Sequence, residues 1–332
     1  MEKIKVNISS EVAQILKKDM ELFKFFKADD EINQNLFINT LIANYYNYID
    51  DEEQKVNNEI KEILKNETNL SIAKINDISG IISNYFLNRN NKDEIFDTAL
   101  SFKPTKVSEY ALNNIEYLLN DLGLSKYFRI LFSAYAKRPQ YIREKIMFKD
   151  KVELLNKAIA EKRIISFSLS NKKTSLKPYK LVYSGEELFN YLICYNDSGI
   201  FSFRLPTLTN LIITKDKFEL DDTTKEKLDK LINMGPQFAC DPDKFGEYVI
   251  KLTPNGIKKF KHIYIHRPKP YKKEGNIYYF KCAYEQIYQY FFRFGKDAYV
   301  ISPAGLSKRL RIEFKEASKH YSSEFNLINE GL

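Results

Sequence analysis

Tryptophan is absent from the 332 residues, and glycine and histidine are scarce, at 11 and 3. No glycine-rich phosphate loop, nucleophile elbow or His-Glu-x-x-His helix occurs, which removes the motifs that mark nucleotide hydrolases, α/β-hydrolases and metalloproteases. The expectation is a protein without enzymatic activity and without a cofactor. Cysteine is as rare: Cys194, Cys240 and Cys282 are far apart and odd in number, against both a disulfide framework and a zinc cluster. They read as buried thiols. His262 and His266 stand four apart, but Ile263-Tyr264-Ile265 between them alternates like a strand and holds no glutamate, so no metal site is expected. No apolar run approaches the roughly 18 residues needed to cross a bilayer. The opening Met1-Glu2-Lys3-Ile4-Lys5-Val6 lacks the apolar core of a secretion signal, so the expected location is the cytoplasm, with no membrane partner.

What is present describes a globular chain, with 44% hydrophobic and 29% charged residues and length for two or three domains. The net charge of +8 and the pI near 9.0 favour an acidic partner. Lysine and arginine gather around 172–180, 251–281 and 293–315, while acidic residues concentrate at 50–62 and 216–230 as linkers or solvated helix faces. The 23 Tyr and 24 Phe serve mostly as core, because aromatic area dominates packing.

The first residues alternate with period two. Ile4, Val6 and Ile8 point to a core, and Lys3, Lys5 and Asn7 point away. A helix capped by Ser9 or Ser10 follows, with Val12, Ile15, Leu16 and Phe23 on one face. After a turn at Asp29-Asp30-Glu31, a second helix carries Phe37, Leu41, Tyr45 and Tyr48. One such unit reads equally as a helical hairpin with a stray strand or as a ribbon-helix-helix-like module, whose paired strands enter the DNA major groove. A second copy favours the latter. Residues 98–138 repeat the plan with strand Ala99 to Lys103 and a helix from Val107 to Leu122 bearing Leu112, Ile115, Leu119 and Leu122. Gly123 suits that helix's C-terminus, Ser125 caps the next helix, and Phe128, Leu131, Phe132 and Tyr135 form its stripe before Arg138-Pro139 ends it. Two units in one chain complete a ribbon without a partner, since each lone strand leaves an open edge. The DNA-contacting residues expected are Lys3, Lys5, Asn7, Ser101 and Lys103. The intervening 51–97 reads as a helical connector.

A helix at 150–161 leads into strands near 163–169, 175–183, 188–195, 200–205 and 210–214, with Asn196-Asp197-Ser198-Gly199 as a hairpin turn. The last segment reads strand 247–253, helix 255–261, strand 262–266, strand 276–283, helix 285–293, strand 298–302 and helix 304–321, a split βαβ, ferredoxin-like order. The stretches Arg163 to Leu169, Lys172 to Tyr179, Asn190 to Tyr195 and Phe201 to Leu205 together resemble the WYL domain of bacterial regulators. Asn190-Tyr191-Leu192 stands at that family's Trp-Tyr-Leu. Tyr290 to Asp297, followed by Val300-Ile301-Ser302-Pro303 and a basic helix, resembles the C-terminal extension that follows WYL domains. The whole arrangement, down to Phe294-Gly295-Lys296-Asp297, is also similar to WYL accessory proteins of type VI-D CRISPR systems, which bind single-stranded RNA and stimulate an RNA-guided RNase.

Periodicity and resemblance together give an α+β multidomain protein: by periodicity, residues 1–50 and 98–147 are ribbon-helix-helix-like modules, and the resemblance implies 148–230 as an SH3/Sm-like WYL β-barrel and 231–332 as a ferredoxin-like extension that dimerises. The aromatic content of Tyr284 to Phe294, more than one face of a small domain buries, points to the same homodimer. The sequence departs from the WYL pattern in its arginines, since Phe201 and Thr207 occupy two of their positions, Leu169 replaces a tyrosine, and Arg204 alone remains. A small anionic effector is thereby less expected than a longer strand held by lysines. The barrel residues expected to hold that ligand or RNA are Lys172, Lys173, Lys177, Tyr179 and Arg204. A basic loop of His266, Arg267, Lys269, Lys272 and Lys273 is either solvated or a second site. Basic side chains neutralise phosphates and rings stack unpaired bases. The function expected is therefore a nucleic-acid-binding WYL-family regulator, a homodimer that contacts duplex DNA. The alternative is a single-stranded RNA-binding accessory to a CRISPR effector ribonucleoprotein.

Overall fold

The computed structural model describes residues 2–87, 95–118, 123–169, 172–238 and 241–329. Cys240, Leu119 and Leu122 lie outside them. The chain divides into two compact units, Met1–Asp150 and Lys151–Leu332, and among the described residues no helix is long and apolar enough to cross a membrane.

The first unit runs β1 (Ile4–Ile8), α1 (Ser10–Leu22), α2 (Gln34–Tyr45), α3 (Tyr48–Glu67), α4 (Ile72–Leu87), β2 (Thr98–Phe102), α5 (Lys106–Leu118), α6 (Leu124–Ala136) and α7 (Gln140–Met147). Ser9 caps α1 by accepting from the Val12 amide, one of the orphan donors of a helix start. β1 and β2 pair antiparallel within the chain, Ile4 opposite Phe102 and Ile8 opposite Thr98. Period-two alternation buries Val6, Ile8, Leu100 and Phe102 on one face. Phe102 meets Phe128 of α6 edge-on at 5.5 Å, and Phe128 stacks on Phe132 at 5.8 Å. Buried Asn39 donates to the carbonyls of Asn35 and Lys103 and accepts from the Thr105 amide and the Ser108 hydroxyl. That satisfied amide fixes the exit of β2 against α2.

Three expectations fail locally. Gly123 is the N-cap of α6, in extended conformation, instead of a helix C-terminus, and Ser125 lies inside the first turn. Tyr48 starts α3 instead of extending α2, whose described buried face ends near Ile42.

Helix α8 (Lys149–Ala160) opens the second unit, followed by β3 (Arg163–Leu169), β4 (Lys172–Tyr183), β5 (Asn190–Asn196), β6 (Gly199–Arg204), β7 (Thr209–Lys217) and α9 (Asp222–Met234). These strands form one antiparallel sheet in the order β6-β5-β4-β3-β7. The twelve-residue β4 serves two neighbours: Lys172 to Leu176 pair with β3 and Lys177 to Tyr183 with β5, with a bulge between Pro178 and Lys180. A bulge of this kind bends its strand. Tyr191, Ile193 and Tyr195 share a buried cluster with Leu228 and Leu231 of α9, Phe238 and Ala283. Ala283 belongs to the C-terminal segment, so residues 148–230 and 231–332 pack against each other at this cluster, while Tyr248, Ile250, Phe280 and Phe291 belong to a core of the C-terminal segment alone.

The rest of the unit is β8 (Gly246–Leu252), α10 (Pro254–His262), β9 (Pro270–Glu274), β10 (Ile277–Cys282), α11 (Tyr284–Phe292), β11 (Ala298–Ser302) and α12 (Ala304–Asn329). The four strands form an antiparallel sheet ordered β11-β8-β10-β9. Residues 262–266, expected as a strand, instead end α10 and enter a turn, and the second strand is β9, within the expected basic loop. The Phe-Gly-Lys-Asp turn has a structural role: Asp297 accepts from Thr253 at 2.9 Å, Asn255 at 2.8 Å and Lys259 at 2.8 Å. These contacts tie the start of α10 to β11. A Cβ on Gly256 would fall 2.1 Å from the Asp297 carbonyl oxygen, so this approach requires glycine.

The rings of α11 are largely absorbed within the chain. Tyr290 and Phe291, with Phe294 just beyond the helix, are buried. Tyr284 and Tyr288 stack at 6.4 Å beneath Arg309 of α12, whose guanidinium lies 3.7 Å from the Tyr288 ring centre. Phe292 stacks on Phe314 at 5.3 Å. The aromatic surplus is therefore no argument for a second copy, because α12 covers it. Cys194 and Cys282 are buried free thiols. Burial pushes the Cys282 thiol up to about 12 and the Cys194 thiol further in the same direction.

Candidate nucleic-acid interface

The first candidate is the outer face of the β1–β2 ribbon. Lys5 stands opposite Ser101 and Asn7 opposite Ala99, and Lys3, Lys5 and Asn7 are exposed. Ser101 is half-buried; its carbonyl accepts from Gln34 at 3.1 Å. Lys103 lies past the strand end with an exposed side chain, while its amide donates to Asn35 and its carbonyl accepts from Asn39. Two residues that sequence reasoning did not assign to this surface join it. Lys5, Asn7, Ser125 and Arg129 line one hollow of about 310 Å³. Arg129 donates to the Ser125 carbonyl at 3.3 Å and lies 4.8 Å from the Phe96 ring centre. Only the packing of α6 on β1 unites residues more than a hundred positions apart, so local pattern carries no signal for it. Two cations, an amide and a hydroxyl on one concave polar surface match the donors that grip phosphate and groove edges.

The residues expected to hold a ligand on this sheet do not form one site. Lys172 and Lys173 are exposed on the β3–β4 side. Lys177 pairs with Asp197 at 3.4 Å and lies 5.6 Å from the Tyr195 ring centre. The Tyr179 hydroxyl donates to Asp229 of α9 at 2.7 Å. Burial first, then that hydrogen bond and the Asp229 charge, push the phenol up to about 12, so the ring is tied to the helix. Arg204 is opposite Tyr191, whereas Lys177 is opposite Tyr195. Four residues of β5 separate them, about 13 Å at the usual strand rise. The hairpin puts the two cations at opposite ends of the face that α9 covers.

At the Arg204 end a polar junction joins the sheet to the C-terminal segment. The guanidinium lies 3.4 Å from the centre of the Phe189 ring, and nearby Glu187 accepts from the Tyr191 hydroxyl and pairs with His266 at 2.6 Å. Burial pushes the Glu187 carboxyl up, but hydrogen bonds from His266 and Tyr191, with the charges of His266 and Arg204, hold it below its ordinary range. His266 has φ of 61°, a left-handed conformation that a non-glycine residue keeps only when its surroundings fix it. Its amide donates to Glu186 at 3.0 Å and its carbonyl accepts from Gln286 at 3.4 Å. Glu187, Tyr191, Gln237 and His266 line a cavity of about 380 Å³ that Glu285 also borders. Two carboxylates make it a poor cradle for phosphate.

The expected basic loop is thereby dispersed. His266 belongs to this junction, and Arg267 donates to the Phe260 carbonyl at the end of α10. Lys269 is exposed. Lys272 and Lys273 lie on β9, 5.0 Å and 5.1 Å from the ring centres of Tyr279 and Tyr278 respectively.

No family model matches the chain, and no curated protein matches it. Among solved structures it is similar to one titled "Crystal structure of a CRISPR Cas-related protein", with a TM-score of 0.70 and 20% identity over 97% of this chain and 95% of that one. A second similarity, to proteasome accessory factor B/C (PafBC) of Arthrobacter aurescens, has a TM-score of 0.27 and 16% identity over 66% of this chain and 36% of that one, too low to establish a common fold. The likeness extends across nearly the whole of both chains and shows a shared mixed helix-and-sheet fold.

Proposed function

We propose that the protein is a non-enzymatic nucleic-acid-binding regulator of the WYL class and that its β1–β2 ribbon reads duplex DNA. The observation that carries this reading is the intrachain ribbon itself: one face closes a core, and the other presents Lys3, Lys5 and Asn7 beside Arg129. A strand pair with helices behind it is the ribbon-helix-helix plan, and here both strands come from one chain. The β6-β5-β4-β3-β7 sheet, bent at β4, supports the SH3/Sm-like WYL barrel. The β11-β8-β10-β9 order, with α10 and α11 in the crossovers, supports the ferredoxin-like extension. Homodimerisation through the C-terminal half remains part of the proposal, now resting on the resemblance and on exposed Ile312 and Tyr321 of α12.

A second reading has its own support. The full-length fold likeness to a CRISPR Cas-related protein favours an accessory that binds single-stranded RNA and acts with a CRISPR effector in the cytoplasm. Fluorescence anisotropy with duplex DNA and single-stranded RNA of mixed sequence, at two salt concentrations, separates the readings. Tighter duplex binding supports the ribbon as reader, tighter RNA binding supports the accessory, and no salt-sensitive binding to either rejects both.

A further inference from the structure

The four-stranded sheet of the second unit has one covered and one open face. Tyr248, Ile250, Leu252, Tyr278, Phe280, Cys282 and Val300 pack under the helices. Alternation therefore turns Lys251, Tyr279, Lys281 and Tyr299 the other way. Tyr299 is 65% exposed and Tyr279 half-buried. Each tyrosine has a lysine directly across a strand boundary: Lys251 is opposite Tyr299, and Lys272 is opposite Tyr279. The two rings stand on strands that flank β8, and because Tyr299 is opposite Lys251 and Tyr279 opposite Val249, two interstrand spacings and a two-residue offset set their positions about 12 Å apart. Lys281 is 4.0 Å from Glu247 and Lys272 is 2.7 Å from Glu274, while Lys251 has no carboxylate partner among the described residues.

We propose that this open face is a second nucleic-acid site, which takes a short single-stranded segment. Bases lie on Tyr299 and on the ring of Tyr279, whose hydroxyl donates to Glu274 at 2.7 Å, and a phosphate lies against Lys251, because Lys272 and Lys281 already face Glu274 and Glu247. Rings on an antiparallel sheet stack unpaired bases whatever their identity, and a duplex offers no free base face to them. A second copy of the chain suits the face less well. Interface centres are depleted of charge, and a lid of protein would bury Lys251 without a counter-charge, which is costly. A phosphate supplies that counter-charge. The site is independent of the ribbon.

The test uses the full chain and three equal-length probes: an oligoadenylate RNA, an abasic oligonucleotide and a DNA duplex. Tyr299→Ala removes an exposed ring and leaves the fold intact. It weakens oligoadenylate binding about five- to a hundredfold, the worth of one stacked base, and leaves abasic binding unchanged. Tyr279→Phe retains affinity because the ring remains. Lys251→Gln weakens both single-stranded probes and lowers the salt slope by about 0.7. Duplex binding is the same in every variant, which separates this site from the ribbon. The proposal is overturned if wild type does not bind oligoadenylate, if Tyr299→Ala binds it as wild type does, or if Tyr299→Ala changes oligomeric mass alone, which would make the face a contact between copies.

Discussion

Arg204 lies with its guanidinium 3.4 Å from the centre of the Phe189 ring. The stack occupies the one arginine on which the resemblance to WYL domains still rests, and it places the charge beside Glu187, a carboxylate that the arginine helps to keep ionised. Arg204 thus acts as a brace at the junction. Replacing it with alanine should cost about 0.5 to 2 kcal/mol of stability, the range of a cation–π contact, and should leave RNA and duplex affinities unchanged. Urea denaturation and anisotropy on one preparation check both halves. Lost affinity at unchanged stability would return Arg204 to a ligand site.

In the N-terminal unit, Arg143 grips Asp19 through two hydrogen bonds, of 2.6 and 2.9 Å, and Tyr135 donates to the same carboxylate at 2.8 Å. The Asp19 side chain is fully buried. Burial alone would lower the guanidinium's affinity for its proton, but the Asp19 hydrogen bonds and charge raise it above its ordinary value. Arg143→Ala should therefore destabilise the unit by about 3 to 5 kcal/mol, because it strands a buried charge. Chemical denaturation reads this directly. Arg143→Met combined with Asp19→Leu should lose less than Arg143→Ala alone.

The Glu187–His266 pair carries a pH dependence of defined sign. A carboxyl whose folded pKa is depressed contributes stability that is present above its unfolded value, near 4.3, and is lost as pH falls through the folded value. The urea midpoint of the wild type should fall between about pH 6 and pH 3 by more than that of Glu187→Gln, which has no such proton to gain. Equal falls in the two proteins would remove Glu187 from the acid response.

Much of this molecule is legible in its sequence where the signal is local. The alternation of Ile4 to Ile8, the Ser9 cap, the Asn196–Gly199 turn and β11 follow from period, capping and turn chemistry. Strand β9 is not legible in this way: Pro270 to Glu274 is exposed at every position, so it has no hydrophobic period, and its ladder to β10 alone makes it a strand. The candidate sites are less legible than the elements, because they depend on which strands become neighbours. Lys173 and Lys177 share a face as spacing predicts, but the hairpin register sends Arg204 to the far end. Arg129 joins Lys5 at one hollow only through the seating of α6 on β1.

The central claim is that the outward face of the β1–β2 ribbon binds nucleic acid through Lys5, Asn7 and Arg129. The most direct measurement is the salt dependence of duplex-DNA affinity for the wild type and for the triple variant Lys5→Ala, Asn7→Ala, Arg129→Ala. Val6 and Ile8 still close the core in that variant, so its thermal midpoint should stay near the wild-type value. Its affinity should drop, and the slope of log affinity against log salt should shallow by about 0.9 for each lost phosphate contact, or close to 2 for two cations. An unchanged slope and affinity in a folded triple variant would contradict the account.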